Sequence, residues 1–475
     1  MNKKLFSNTI LYTVGEVVPR IISFLMMPIF TRYLSPADYG ILSYTNSVIS
    51  FIYVLCTLSL NTYVLRFYFD CKTEKERKKL LGNVFAFIAI VNFAVLVLIY
   101  FTGPFIIEKA KISVPWKPYF RLAILNNFLE SFSIIPMLYY RIKQNAKMFV
   151  GISLGRCILQ YVATFVMLVG LGWGVMSQYY GRLITLLPFF VIYIIIMLRH
   201  TKMGLDWGQL KQGLKFSLPL LPGSVSYLVL TSLDKVILER YVSLEIIGIY
   251  NIAYTIAFAM NMIIQSFYKA LEPNIFQKYN ENPDTDAFVP YMKKINNIYN
   301  FALYALSLIL SLFAKEALMI IAGEKYYSAA FYVPLVLIGV IFSGRNVFIE
   351  CVLTAEKRSI INGIGTMAGA IVSITTNLIL IPKIGVVAAT IALSFSYLIM
   401  NIYFKVCTRI KFFNNWQDIV GMLVFLSCSI IPLCNFSLSE MVLIGMKLFV
   451  YLLAIVILMY NYHIFAFFKN TELKK

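Results

Sequence analysis

Charge is scarce in this sequence, and acidic charge is scarcest: Asp, Glu, Lys and Arg make up 13% of the 475 residues, and only 22 residues are Asp or Glu. An ordinary soluble domain carries about 25% charged residues, so a water-facing surface for a globular chain of this size cannot be assembled. Histidine is nearly absent. His200 and His463 alone supply too few parts for a His-based zinc site or a Ser-His-Asp triad. The cysteines, Cys56, Cys71, Cys157, Cys351, Cys407, Cys428 and Cys434, form no CxxC pair and show no even spacing, so neither a disulfide framework nor a thiolate cluster follows from them. No GxxxxGK[ST] loop occurs, and no polar stretch is long enough to fold as a nucleotide-binding domain. The sequence therefore predicts no catalytic residue, no metal and no cofactor.

Apolar sequence is abundant: 60% of residues are hydrophobic and the mean hydropathy is +0.77. A crossing of the bilayer takes roughly 20 apolar residues. Runs of that length, parted by Pro, Gly, Asn or charge, fall near 6–30, 41–65, 81–101, 119–140, 148–171 and 176–198, then near 214–238, 246–270, 295–321, 328–352, 360–381 and 385–404, with two more near 418–434 and 440–462. The expected fold is all-α and polytopic, with about 14 transmembrane helices. The first run follows a basic end but carries Glu16 and Arg20 and shows no small-residue cleavage site, so it reads as a retained helix. The formal charge of +20 sits mainly between apolar runs, which reflects topology and argues against nucleic acid as a partner. Basic residues crowd alternate loops, as at Arg66, Lys72, Lys75, Arg77, Lys78 and Lys79. The positive-inside rule then places both termini, including the tail KNTELKK, on the cytoplasmic side.

The chain repeats itself at an offset of 208. MPIFTRYLSPADYGI (27–41) lies over KVILERYVSLEIIGI (235–249) with Ile29/Ile237, Arg32/Arg240, Tyr33/Tyr241, Ser35/Ser243, Gly40/Gly248 and Ile41/Ile249 identical. An even number of runs separates the copies, so both keep one orientation, as in parallel repeats. The implied organisation is a six-helix bundle over 1–205, a second over 206–410, and two added helices with a tail over 411–475.

Basic residues inside apolar runs are the candidates for function, because a charge at the bilayer centre costs on the order of 3 kcal/mol on insertion scales and rarely faces lipid. Arg20, Arg156, Arg182 and Arg345 are candidate substrate contacts; Lys235 and Lys447 lie nearer the outer membrane face and Arg345 nearer the inner. Glu16 stands four residues before Arg20, on the same helical face, with Pro19 between them. It is read as a gate or ion-pair residue, together with Asp234 and Lys235. Glu130 and Glu350 are acids that can balance an arginine. Pro219, Pro222 and Gly223 in the second copy predict an interrupted helix, the feature that marks transport sites in repeat-built transporters. Asp284 and Asp286, amid Asn-Pro-Asp, read as a solvated turn.

PIFTRYLSPADYGILSY (28–44), SLPLLPGSVSYLVLTSLDKVIL (217–238), GIYNIAYTIA (248–257) and AEKRSIINGIGTMAGAIVSITTNLILIPKIGVVAATIALSFSYLI (355–399) together resemble the polysaccharide transporter family, the Wzx-type O-antigen and oligosaccharide flippases of the multidrug/oligosaccharidyl-lipid/polysaccharide exporter superfamily. The resemblance spans about the first 400 residues. It implies two bundles around a central cavity and alternating access. The implied cargo is an undecaprenyl-diphosphate-linked oligosaccharide, carried from the cytoplasmic to the outer face of the bacterial cytoplasmic membrane for surface polysaccharide such as O-antigen. Implied partners are that lipid-linked oligosaccharide, the lipid bilayer, and a polysaccharide polymerase and glycosyltransferases. Two rival readings share the implied fold. A multidrug and toxin ion antiporter wants acidic cavity residues, whereas the excess here is basic. A lipid II type flippase differs only in its cargo. A membrane-embedded glycosyltransferase would need a large acidic or metal-binding loop, and the longest loop, 271–294, bears no such cluster.

Overall fold

The structure is a computed structural model that describes residues 3–281, 288–434 and 439–464. Asp284, Asp286 and the tail KNTELKK lie outside the described residues. Within them the chain is helical throughout, without a strand, and 13 helices are long and apolar enough to cross a membrane. It divides into two compact units, Met1–Gly248 and Ile249–Lys475.

The first unit contains α1 (Lys3–Tyr33), α2 (Pro36–Thr57), α3 (Leu60–Phe67), α4 (Glu74–Lys109), α5 (Arg121–Ser131), α6 (Ile134–Ile142), α7 (Ala146–Phe165), α8 (Met176–His200), α9 (Trp207–Ser217), α10 (Leu221–Leu238) and the first turn of α11 (Leu244–Glu281). The interfacial starts are chemically marked. Ser35 and Thr73 each accept from the third residue of the helix they precede, while Asp38 and Glu76 reach back to the cap backbone. These reciprocal boxes satisfy donors that have no partner inside the helix. Asn145 and Asp206 cap α7 and α9 in the simpler way.

Side-chain contacts sort the loops of this unit into two sets. Lys202 N donates to Lys78 O at 3.1 Å, Lys79 pairs with Asp206 at 2.6 Å and Lys143 with Glu74 at 2.8 Å, so the loops before α4, after α6 and after α8 meet at one face. Ser113 N donates to Glu239 at 2.5 Å and Arg240 to Ala110 O at 3.4 Å, which joins the loops after α4 and α10 at the other. The contacts thus group the loops into two alternating sets.

The second unit holds the remainder of α11, then α12 (Phe288–Leu312), α13 (Ala314–Ile321), α14 (Tyr332–Ala355), α15 (Ser359–Ile384), α16 (Val386–Cys407), α17 (Asn415–Ser429) and α18 (Glu440–Asn461). α14 is its most buried span. The turn between α16 and α17 is fixed by the buried carboxylate of Glu356, which accepts from Thr408 Oγ1 at 2.9 Å and from the amides of Arg409 and Ile410 at 3.0 and 3.2 Å.

The expected fourteenth crossing, near 418–434, is the helix α17. At 15 residues it reaches about 22 Å, short of the roughly 30 Å hydrocarbon core, and so does not count among the 13. It nonetheless runs the length of its neighbours, antiparallel to α18 and parallel to α12: Gln417 exchanges bonds with Asn461 at 2.7 and 2.9 Å, Asp418 faces Asn300 at 3.5 Å, and Ser429 meets Ser311 at 2.7 Å at the opposite end.

The polarity of the interior suits lipid as the outer solvent. Phe101, Ile320 and Tyr460 are 75–80% exposed, whereas Asn83, Asn92, Asn126, Ser177 and Thr185 are buried. With no water in the hydrocarbon, polar groups turn inward to one another.

Candidate functional site

One carboxylate organises the interior of the first unit. Glu130 stands in the last turn of α5, where the helix breaks before resuming as α6 at Ile134. Phe132 N and Ser133 N turn back to the carbonyls of Leu129 and Glu130. From there Glu130 Oε1 accepts a hydrogen bond from Arg156 of α7 and Oε2 one from Arg182 of α8 at 3.5 Å. Tyr193 lies within the field of Arg156 and Glu130, and Tyr53 within that of all three charges. The cluster carries two cations and one anion, and its surplus is therefore positive. The arginine side chains keep 28% and 34% of their exposure and Glu130 keeps 17%, so the charges are neither sealed in apolar packing nor free in lipid.

Arg182 also borders a cavity of about 140 Å³ whose wall includes Asn46, Asn126, Gln160, Gln178 and Tyr179. Asn126 donates to Tyr179 O at 3.0 Å, and the Tyr179 hydroxyl is held by Thr45 at 2.7 Å. The structure thus brings Arg156 and Arg182 together around Glu130.

The other sequence candidates lie elsewhere. Arg20 is exposed, and among the described residues no ion pair reaches it. Glu16 forms an ion pair with Arg141, 3.9 Å away, in the last turn of α6. Asp234 and Lys235 are buried at the end of α10, 3.6 Å apart, with Lys235 Nζ donating to Thr231 O at 3.2 Å. The predicted interruption in the second copy is present as the short 3₁₀ turn Leu218–Leu220 between α9 and α10, whereas α1 runs unbroken through Pro19 and Pro28.

Arg345 is buried in the second unit. Its guanidinium donates to Asp418 of α17, and the same carboxylate accepts from Lys405 at 2.6 Å and faces Asn300 at 3.5 Å. Lys447, 2% exposed, pairs with Glu316 at 2.6 Å. Asp418, Lys405 and Glu316 are partners that the sequence reading did not assign. Asp418 was legible as the lone acid of an apolar run, and Lys405 and Glu316 sit at run ends, where interfacial charge is unremarkable.

The sequence model of a family described as "polysaccharide biosynthesis protein" matches residues 29–331. Curated protein sequences give no match. Among solved structures, the lipid II flippase MurJ in an inward closed conformation superposes with a TM-score of 0.72 at 18% identity, covering 98% of this chain and 100% of that one. An inward-facing multidrug resistance MATE family transporter of the MOP superfamily superposes at 0.64 with 13% identity, over 89% of this chain and 98% of that one. A MOP superfamily transporter from Pyrococcus furiosus, described as having a binding pocket of reverse polarity, superposes at 0.53 with 15% identity, over 90% and 96%. At these identities the likeness is one of fold.

Proposed function

This chain belongs to the polysaccharide biosynthesis protein family, and from that premise we propose that it is a flippase for an undecaprenyl-diphosphate-linked oligosaccharide. It moves the cargo from the cytoplasmic to the outer face of the bacterial cytoplasmic membrane by alternating access, and breaks no covalent bond. Glycosyltransferases that build the lipid-linked unit supply it, and a polymerase consumes it for surface polysaccharide.

The observation that carries the reading is the positive surplus of the Glu130–Arg156–Arg182 cluster inside a membrane-spanning bundle. A diphosphate crossing hydrocarbon needs cationic donors, and the planar guanidinium fork fits phosphate oxygens in pairs. Glu130 keeps the two arginines in place while the site is empty. When the diphosphate arrives, it competes for the same donors with more charge and more acceptors. Arg20 is assigned to the same head group, as an exposed cation on α1 that meets it first. Asp234 and Lys235 act as gating residues. Arg345 contributes positive potential together with Lys405, since their shared partner Asp418 neutralises one of the two.

A multidrug antiporter is opposed by the same surplus, because cationic compounds would be repelled. The full-length likeness to a lipid II flippase supports the fold-level reading, and the two flippase cargoes differ in sugar.

The test is a proteoliposome assay with lipid-linked saccharides bearing one, two or several sugars, followed by accessibility of the sugar to an external oxidase. Arg156→Gln and Arg182→Gln, each at wild-type abundance, are expected to lower the rate at least tenfold for every diphosphate-linked cargo. Unchanged rates in both variants would overturn the assignment of the diphosphate to this cluster.

A further inference from the structure

The three charged residues of the cluster each have an amide side chain one helical turn away. Asn126 precedes Glu130 by four residues on α5, Gln160 follows Arg156 by four on α7, and Gln178 precedes Arg182 by four on α8. Positions four apart share a helix face about 5–6 Å from one another. α5 and α8 run from the face of the loops after α4 and α7 toward the opposite face, and α7 runs the reverse way. The amides therefore all lie on one side of the charges, forming a second layer nearer the loops at 110–116 and 170–176. Those three amides, with Asn46 of α2, line the 140 Å³ cavity whose edge is Arg182.

We propose that this amide layer is a saccharide subsite, which holds the sugar ring adjoining the diphosphate. The proposal rests on the flippase reading for the identity of the cargo, and its own support is the chemistry of the wall. A carboxamide presents both donors and an acceptor, which matches a sugar hydroxyl that both donates and accepts. A phosphate offers acceptors only and would meet amide oxygens unfavourably, while an acyl chain would leave every amide without a partner.

Asn126 braces the layer from behind. It is 2% exposed, its Nδ2 is committed to Tyr179 O, and its buried Oδ1 accepts no hydrogen bond from protein. Of the three amides, the accessible ones are those of Gln160 and Gln178, both partly exposed. The cavity is below the roughly 300 Å³ at which pockets for drug-sized ligands begin, so it takes one ring, not the oligosaccharide. In the cargo the first sugar is bonded directly to the diphosphate, and the two layers, four residues apart, are separated by about 6 Å along the helices.

The test uses the full-length protein in nanodiscs of phosphatidylethanolamine and phosphatidylglycerol, free of glycoside detergent. Saturation-transfer NMR is read with methyl glycosides of glucose, galactose and N-acetylglucosamine, and diphosphate binding is measured separately. At least one glycoside is expected to show transfer in the wild type, reduced threefold or more by Gln160→Leu and Gln178→Leu, with diphosphate binding kept. Arg156→Gln is expected to do the converse. Asn126→Leu is included with its melting temperature, since loss of its bond to Tyr179 can disturb folding, and the partly exposed glutamines keep the test decisive in that case. No transfer from any glycoside in the wild type, or transfer unchanged in both folded glutamine variants, would overturn the subsite. Glycoside binding that follows these variants in a protein that flips no lipid-linked sugar would sink the flippase reading while leaving the subsite standing.

Discussion

Glu130 shows how much of a site one residue can decide. Its removal leaves two arginines facing each other within the membrane. Breaking one side of a buried pair costs about 3–5 kcal/mol, and the partial exposure of this cluster points to the lower end. Glu130→Gln is expected to lower the melting temperature in detergent and the membrane level. Glu130→Gln combined with Arg156→Gln should recover much of both, and should recover no transport. Arg20 predicts the opposite pattern. Exposed and outside any ion pair among the described residues, it should tolerate Arg20→Ala at full abundance while transport falls, with Arg20→Lys intermediate because it keeps the charge and loses the fork. Equal transport in Arg20→Ala and wild type at matched abundance would remove Arg20 from the site. The arginines were legible in the sequence by their depth in apolar runs, and so was Glu130 as an acid able to balance them. Their convergence was not, because it depends on which faces of α5, α7 and α8 turn to one another. Arg345, like Arg156, is an arginine within an apolar run, though nearer the inner side. It is sealed deeper, with 6% of its side chain exposed against 28% for Arg156, and its partner Asp418 lies 73 residues away, a fact that spacing cannot carry.

At the scale of the element, the repeat acquires a physical meaning. Ser35 caps α2 through Asp38 N at 3.2 Å, and its counterpart Ser243 accepts from Ile246 N at 3.4 Å at the start of α11. The paired glycines are where those two starts cross: a Cβ on Gly40 would fall on the carbonyl of Leu244, and one on Gly248 on the carbonyl of Pro36. Only hydrogen fits between backbones that approach so closely. What the alignment recorded as Arg-Tyr-x-Ser followed by Gly is therefore a helix end, a cap and a crossing point, used twice and packed copy against copy. Gly40→Ala and Gly248→Ala are each expected to reduce membrane abundance severely, since the clash is with main chain and no rotamer relieves it. Gly223, the repeat partner of Gly15, has no atom within 4 Å of a built Cβ, and Gly223→Ala should leave abundance unchanged. A tolerated Gly40→Ala would show that the two starts can separate without loss of the fold. The interrupted second-copy helix was legible from Pro219 and Pro222. The break after Glu130 was not, because Ser131, Phe132 and Ser133 contain neither Pro nor Gly.

For the whole molecule, the question is which membrane face each loop occupies, and the contacts and the charges answer different halves of it. Ion pairs and backbone bonds join the loops around Lys79, Lys143 and Lys202 on one face of the first unit, and the loops around Ala110 and Glu239 on the other. They fix which loops go together but not which group faces the cytoplasm. The excess of Lys and Arg on the first group supplies that choice. Fusions of a cytoplasmic reporter after Lys79, Lys147 and Lys202 should be active, and fusions after Lys111 and Lys325 should not. The short helix α17 is the exacting case. If it crosses, as its parallel contacts with α12 and antiparallel contacts with α18 require, the bilayer must thin or the flanking 3₁₀ turn Ile431–Leu433 must complete the span. A fusion after Ile464 then reports the same side as one after Lys357. If α17 does not cross, α18 alone carries the chain over and the two fusions disagree. Agreement between them, together with protection of Asn414 from an external reagent and exposure of Ser439 to it, would establish the fourteenth crossing. Disagreement would limit the crossings to the 13 helices that length and hydropathy already identify.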